Sequence, residues 1–361
     1  MHRDPHHHPH LPTPTDDGAC LHLRRTPLPD LALPSTRGIP LRLAHLHRPT
    51  ILFFYPRTGI PGQPPARGFQ GESWDSIPGA RGCTPQSCSF RDHHAAFAAL
   101  GVDILGVSTN TTDHQREFQA REHIPFDFLS DANLELTRAL NLPTFEFPVE
   151  SGGPTTLLKR MAWYVEPDAR GIPRIRKVWY PVFPPGDNAR TLLAWLEARR
   201  DITLVTRAKE HDAFVFEELT KHWFGTQIWS RGIRYDAHHI PAIIAIHQGQ
   251  PVGLVTYDFL PGNTQCEVVT LSTRLESRGI AARLLERVED IADAAGAWRV
   301  FLTTTNDNLR AIGVYQRCGW TFAALHKGIV DEARARVPHI PRIGLNGLPV
   351  HDELEFERWL H

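Results

Sequence analysis

The chain has 361 residues, 39 Lys+Arg against 40 Asp+Glu, 41% hydrophobic residues and a formal net charge of −1. That length exceeds one comfortable hydrophobic core and fits two domains of ordinary size. Balanced charge gives no broad basic footprint, which argues against nucleic acid or an anionic membrane as the main partner but leaves room for a local phosphate site. No segment approaches the about 18 to 20 uninterrupted apolar residues of a membrane span, and the N-terminus lacks the basic-then-apolar order of a secretory signal. A soluble, cytoplasmic protein is therefore expected. Five cysteines (Cys20, Cys83, Cys88, Cys266 and Cys318) are an odd and sparse set. They read as reduced thiols, with one or two candidates for catalysis, rather than as a disulfide framework.

The chain opens with MHRDPHHHPHLPTPTDDG, which has little to build a core, so residues 1–40 are expected to form a disordered His/Pro-rich tail. Its histidines could bind a soft divalent metal, but they lack partner ligands at regular spacing, so such binding is expected to be adventitious and no functional metal site is expected. From residue 51 the pattern becomes regular: ILFFY reads as a buried strand, followed by a long Gly/Pro-rich loop, a helix through FRDHHAAFAAL and a strand over VDILGVST. QREFQAREH then reads as a helix, FDFLS as a strand, LELTRAL as a helix, and RMAWYV and RKVWYPV as two strands. The helix ARTLLAWLEARR closes the series. This alternation predicts an α/β domain over residues 41–200.

The boundary is expected near Arg199 to Thr203, and a second domain over 201–361 has a different order. A helix around Phe214–Trp223 leads to the hairpin PAIIAIHQGQPVGLVTYDF, turning at Gln248–Pro251, and then to the strand CEVVTLST. RLESRGIAARLLERVEDIADAAG opens a helix with a glycine turn. Strand WRVFLTTT, helix NLRAIGVYQRCG and strand WTFAAL follow, and the segment from Gly328 to Val350 reads as a loop before the last strand, DELEFERW. No repeat relates the halves.

In the first half the central feature is GARGCTPQSCSFRDH. Cys83 stands where a loop meets a helix, so the unbonded N–H groups and the positive end of the helix favour a nucleophilic sulfur, with Arg81 adding to this. Cys88, five residues on, points about 140° away on an intact helix, beyond the about 7 Å between Cα atoms that a disulfide tolerates. Bridging the two requires the first helical turn to unwind. The alternative is two small helix residues without chemistry.

FFYP, GCTPQSCSFRDH, VDILGVSTN and FDFLSD together resemble the peroxiredoxins, particularly the atypical two-cysteine class related to bacterioferritin comigratory protein, over about Ile51 to Leu196. The resemblance implies a thioredoxin-like fold in which Cys83 attacks the peroxide O–O bond. Cys88 would then resolve the sulfenic acid to a disulfide, which thioredoxin or a similar dithiol reduces. It also implies that Arg160, carried by a strand, faces the thiolate. The sequence departs from the family where a hydroxyl is expected three residues before the cysteine: that residue is Ala80. Either Thr58 or Ser76 folds in, or a backbone group serves, and the insertion over 57–82 is either a lid or a surface loop.

In the second half, LSTRLESRGIAAR passes from strand through glycine turn to helix, presenting N–H groups suited to a pyrophosphate. With TTTNDNLRAIGVYQRCGW one strand later, the segment resembles the GNAT superfamily of N-acetyltransferases over about Ile202 to Trp359. The resemblance implies a GNAT fold and acetyl-CoA as donor. The backbone of Arg278, Gly279, Ile280, Ala281, Ala282 and Arg283 would hold its pyrophosphate, and Asn308 would bond the pantetheine arm or the helix. Tyr315 would protonate the departing thiolate, and Glu267 is the candidate base for an unidentified amine acceptor. Glu276 replaces the family's first motif residue, offset by Arg274, Arg278 and Arg283. The expected whole is a bifunctional enzyme acting on hydrogen peroxide or an organic hydroperoxide and on an amine, with a homodimer allowed. The alternatives are an acetyltransferase regulated by a redox-sensor domain, or a peroxidase carrying a non-catalytic CoA-binding domain.

Overall fold

The computed structural model describes residues 11–59, 74, 77–147, 155–168, 170–276, 278–338 and 340–360. They form two compact units, Met1–Glu197 and Ala198–His361.

The first unit is built on β3 (Thr50–Phe54), every residue of which is buried. It lies at the centre of a five-stranded sheet of order β5-β4-β3-β8-β9. The short strands β1 (Ala32–Leu33) and β2 (Leu41–Arg42) precede it. After it come α1 (Cys83–Asp92), α2 (His94–Ala99), β4 (Asp103–Ser108), α3 (Thr112–Arg121), β5 (Phe128–Ser130) and α4 (Glu135–Ala139). The hairpin β6 (Thr144–Glu146) and β7 (Thr156–Leu158), then β8 (Met161–Pro167), β9 (Pro173–Trp179) and α5 (Asn188–Arg200) complete the series. β3 runs parallel to β4 and antiparallel to β8. Its continuous apolar run follows from burial on both faces. Ile51 and Phe53 join Phe90, Phe97, Phe118 and Leu192 on one side, and Leu52 and Phe54 join a second cluster on the other.

That second cluster corrects one sequence expectation. Residues 1–10 of the expected tail lie outside the described residues, but from residue 11 onward the segment is part of the fold. Cys20, Leu23, Leu28 and Leu33 are buried in it with Leu43, Trp163 and Ile175. Backbone bonds tie it to both edges of the sheet: Arg25 N–H donates to Ile175 O (2.7 Å), Leu28 N–H to Pro173 O (2.9 Å), and Ser130 N–H to Pro34 O (2.9 Å). Its leucines are separated by prolines and polar residues at irregular intervals, so no period betrays them. They cover apolar sheet surface beside α4.

The second unit is a seven-stranded sheet of order β10-β13-β14-β15-β16-β18-β17. Its elements are β10 (Ile202–Thr206), α6 (Asp212–Trp223), β11 (Gln227–Ser230), β12 (Ile233–Asp236), β13 (Ala242–His247), β14 (Gln250–Phe259) and β15 (Gln265–Thr273). Then follow α7 (Ile280–Ala294), β16 (Arg299–Thr305), α8 (Leu309–Arg317), β17 (Thr321–His326), α9 (Ile329–Arg336) and β18 (Glu353–Trp359). The β13–β14 turn holds Gln248 and Gly249 at positive φ, as a tight hairpin requires. Leu284, Leu285, Val288 and Ala292 of α7 share a core with Val255, Val268, Val300 and Leu302. Phe214, Val215 and Leu219 of α6 pack with Ile244 and Leu254 in another. Three elements differ from expectation. Ile202–Thr206 is an edge strand, the separate hairpin β11–β12 (Ile228, Tyr235) joins the α6 core, and α9 is a helix inside the expected 328–350 loop. Among the described residues no helix is long and apolar enough to cross a membrane.

If the N-terminal segment is structural, Leu23→Ala should destabilise the first unit by about 2 to 5 kcal/mol, as for a buried leucine. Chemical denaturation checks this, and an unchanged midpoint would show the segment to be dispensable.

Candidate active sites

In the first unit the reactive sulfur is placed by a tight loop. Gly82, at φ 107°, caps α1, and a Cβ there would come within 2.7 Å of Pro185, so only glycine fits. Cys83 is the first residue of α1 and is 5% exposed. Arg160, immediately before β8 rather than within a strand, is 3% exposed. Its Nη2 donates to Cys83 Sγ (3.2 Å) and to the carbonyls of Ala80 (3.0 Å) and Arg81 (3.3 Å). Its Nε donates to Gly79 O (3.1 Å), and its Nη1 to Gln86 Oε1. The planar fork of the guanidinium thus spans the loop, the helix and the sulfur, a geometry an ammonium does not reproduce. The backbone of the Gly79–Arg81 turn aims carbonyls at Arg160, which holds the cation on the sulfur side.

Gln86 is a site residue that sequence reasoning missed. It is fully buried, and its amide nitrogen donates to Asn188 Oδ1 (2.9 Å). Because Arg160 only donates and Asn188 offers its oxygen, the Gln86 amide has one orientation. The available signal was its place three residues after Cys83, on the same side of a helix. Asn188 comes from the start of α5 and gave no signal. Of the hydroxyls expected to replace the absent one at Ala80, Thr58 is buried and its Oγ1 is paired with His114 Nε2 (3.0 Å). Ser76 and most of the insertion lie outside the described residues.

Cys88 is also on α1, half-buried. Its thiol points to Glu122 Oε2 (3.6 Å), and burial, with the Glu122 charge adding to it, pushes it up to about 11.

In the second unit β15 pairs with β16 only from Gln265 to Val268, although both strands continue beyond. The strands part in front of α7. Gly279 caps that helix at φ 66°, and the first-turn N–H groups of Ile280, Ala281 and Ala282 have no acceptor within the helix. Arg278 is exposed. Arg283 is a correction to the expected cradle: its N–H already donates to Gly279 O (3.1 Å). Its side chain holds the carbonyls of Arg199 (2.9 Å) and Ile202 (2.6 Å). Arg274 is likewise committed, to Glu218 (2.7 Å) and Glu217 (2.8 Å), and Glu276 is paired with Arg310 (2.8 Å). The expected cluster of three arginines around one pyrophosphate is therefore not what the geometry provides.

Asn308 caps α8, accepting from the Ala311 N–H (3.2 Å). Tyr315 of α8 is buried beside Trp320 and Phe356, and burial raises its hydroxyl far above the usual phenol range, so it stays protonated. Glu267, expected as a strand residue free to act as a base, is fully buried. Its oxygens accept from Ser230 Oγ (2.5 Å), Arg231 Nη2 (2.7 Å) and the Tyr235 hydroxyl (2.6 Å), all from the β11–β12 hairpin. On the same sheet face Glu353 accepts from the Arg231 N–H (2.9 Å), and burial raises its carboxyl above the ordinary range. Glu355 is held by Arg299 (2.5 Å) and His326 (2.9 Å).

The profile of the Redoxin family matches residues 24–166, and that of the acetyltransferase (GNAT) family residues 190–320. The chain is a fusion of a redoxin and a GNAT acetyltransferase domain. Each is what the corresponding half resembles, with a peroxiredoxin-like thioredoxin fold first and a GNAT fold second. The uncharacterized protein YdhI of Bacillus subtilis is 33% identical over 141 residues, 39% of this chain and 87% of that protein. Peroxiredoxin Bcp of Bacillus subtilis is 26% identical over 151 residues, 42% of this chain and 82% of that protein. Among solved structures, peroxidoxin BcpB of Mycobacterium tuberculosis aligns at 24% identity and TM-score 0.37, covering 48% of this chain and 96% of that one. A Bacillus subtilis acetyltransferase in complex with CoA aligns at 15% identity and TM-score 0.33, covering 44% and 98%.

Within the redoxin domain, Gln86→Leu should remove one charge-assisted bond from Arg160. Cys83 alkylation and peroxide consumption should slow by about ten- to a hundredfold, the range set by the about 1.5 to 3 kcal/mol of a hydrogen bond to a charged group. Alkylation rates equal to the parent's would show that Arg160 is held without it.

Proposed function

We propose that the chain is a bifunctional enzyme, a dithiol-dependent peroxidase and an acetyl-CoA-dependent N-acetyltransferase. For the peroxidase the observation that carries the reading is the Arg160 guanidinium on the Cys83 sulfur at a helix N-terminus. Once deprotonated, the Cys83 sulfur is an anion faced by the guanidinium and the helix N-terminus. That anion attacks one peroxide oxygen, the O–O bond breaks, and the product alcohol or water leaves with a proton, giving Cys83 sulfenic acid. Cys88 condenses with it, water departs, and a thioredoxin-type dithiol reduces the disulfide. Arg160 steadies the charge moving onto the leaving oxygen. Cys83→Ser should reduce peroxide consumption with a dithiol to the uncatalysed rate, while Cys88→Ser should leave the first turnover intact. Peroxide consumption that survives Cys83→Ser would refute the assignment.

For the transferase the carrying observation is the parting of β15 and β16 before the unbonded amides of α7. We assign the pyrophosphate of acetyl-CoA to the backbone of Gly279 through Ala282, with Arg278 at the rim, and not to Arg283. Asn308 fixes the start of α8, and Tyr315, protonated by its burial, gives its proton to the departing thiolate. The acceptor is an amine. Its proton goes to Glu353 rather than to Glu267, because Glu267 already carries three donors whereas Glu353 accepts one backbone N–H and has a raised carboxyl, as a base working near neutrality needs. Acetyl-CoA at a hundred times its dissociation constant should raise the melting temperature of the second domain by about 5 to 10 °C. Adenosine alone should not. Against a panel of amines, thiol release should rise with pH through the Glu353 ionisation, and Glu353→Gln should abolish that rise. A retained pH profile would return the role to another group.

A further inference from the structure

Cys83 and Cys88 share α1, so their disulfide forms only when the turn between them opens, and the structure shows what would open and what would stay. From Cys83 to Ser89 the helix reads CTPQSCS, without a single large apolar residue, and the Ser87 hydroxyl is buried without a partner. Phe90, next in line, is fully buried and stacks on Phe53 with ring centroids 4.4 Å apart. One turn after Cys88, Arg91 Nη1 donates to the backbone carbonyl of Glu122 (2.8 Å). The helix is anchored by apolar packing after Ser89; before it the hold is polar, through the bonds of Cys83 and Gln86 to Arg160 and of Gln86 to Asn188.

Just before this anchor, Cys88 is restrained by a side chain from outside its helix, the Glu122 carboxylate at 3.6 Å. That carboxylate is fixed in turn by Arg121 (2.5 Å), which also bonds Glu117 (2.7 Å) and Gly59 O (3.0 Å). The charged groups facing the thiol are Arg91 and Asp92 of its own helix and Glu122 at the end of α3.

We propose that Glu122 is a positioning residue for the resolving step, a latch that holds Cys88 as a thiol in the folded helix. It thereby slows disulfide formation relative to further oxidation of Cys83. The proposal rests on the roles assigned above to the two cysteines. Released, Cys88 loses its proton to solvent, and its sulfur attacks Cys83–SOH. The S–S bond forms, the S–O bond breaks, and hydroxide leaves to become water. While latched, Cys83–SOH meets a second peroxide instead: its sulfur takes one oxygen, the O–O bond breaks, and the alcohol or water leaves, giving the sulfinic acid. Glu122 sets the division between the two outcomes.

The test is a single-turnover reaction of the full chain with hydrogen peroxide. Mass spectrometry follows Cys83 as dimedone-trapped sulfenic acid, disulfide and sulfinic acid in the parent, Glu122→Gln and Glu122→Asp, with Cys88→Ser as reference. Because Arg91 bonds the backbone of Glu122, Glu122→Gln leaves that anchor in place. Sulfenic acid should form at the parent rate in both variants. Disulfide should form about tenfold faster in Glu122→Gln, the weight of one pKa unit, with its rate–pH curve displaced to lower pH and less sulfinic acid at high peroxide. Glu122→Asp, which keeps the charge but draws it back from the sulfur, should fall between them. Disulfide formation that is unchanged or slower in Glu122→Gln would overturn the latch, the slower case making Glu122 a proton acceptor for Cys88. No sulfenic acid in the parent would instead defeat the assignment of Cys83 itself.

Discussion

The redoxin domain turns on a buried cation. Arg160 is almost wholly out of water, and among the described residues its partners are three backbone carbonyls, one amide oxygen and the Cys83 sulfur, with no carboxylate. A buried guanidinium is costly unless its N–H groups are all engaged and some negative charge lies close. Carbonyl dipoles supply part of this, and the Cys83 sulfur, 3.2 Å from Nη2, completes the set. The requirement reaches outward. The Gly79–Arg81 turn must aim its carbonyls inward, Gly82 must pass beneath Pro185 without a side chain, and Gln86 must be turned by Asn188 so that its oxygen faces the cation. A carboxylate at Gln86 would stabilise the cation better and, by the same token, weaken its claim on the sulfur.

The acetyltransferase domain solves a different problem, keeping several carboxylates beneath one sheet face. Glu267, Glu355 and Glu357 interleave with Arg231 and Arg299, and both guanidinium groups also lie over the Phe301 ring, at 4.3 and 4.7 Å. Such a ladder costs desolvation that is recovered only when every member is bonded. Glu353, at its end, makes one bond to a backbone N–H and is the member whose ionisation the surroundings oppose. The hairpin β11–β12 exists in part to complete the ladder, since Ser230, Arg231 and Tyr235 all lie on or between its strands and all reach Glu267.

What the sequence disclosed followed from how local the determining physics was. β3, α7 and the β13–β14 turn were legible because a continuous apolar run, a helical stripe and two residues suited to positive φ each act within their own segment. Cys83 was legible for the same reason: a glycine followed by a cysteine at a helix start is a local arrangement. The N-terminal leucines were not, because Leu23, Leu28 and Leu33 acquire meaning only against Trp163 and Ile175, far along the chain. Asn188 lies 102 positions from Gln86, and Ser230 lies 37 from Glu267. No window of sequence contains either pair. Glu267 and Arg283 have their partners at a similar remove: the fold pairs Glu267 with Ser230, Arg231 and Tyr235, and Arg283 with the carbonyls of Arg199 and Ile202.

The near-zero net charge shows how far composition can stand from chemistry. Arg160, Glu218, Glu267, Glu289 and Glu355 count as ordinary members of the 39 and 40, yet all are buried. A charge on the surface is screened over about 10 Å of salt solution and contributes mainly to solubility and encounter. A buried one acts through contact, on a sulfur in one domain and on a strand ladder in the other. The sum of −1 therefore describes what the protein meets at long range. Its two proposed reactions depend on a handful of charges that the sum cancels, and on the hydrogen bonds that make each tolerable where it lies.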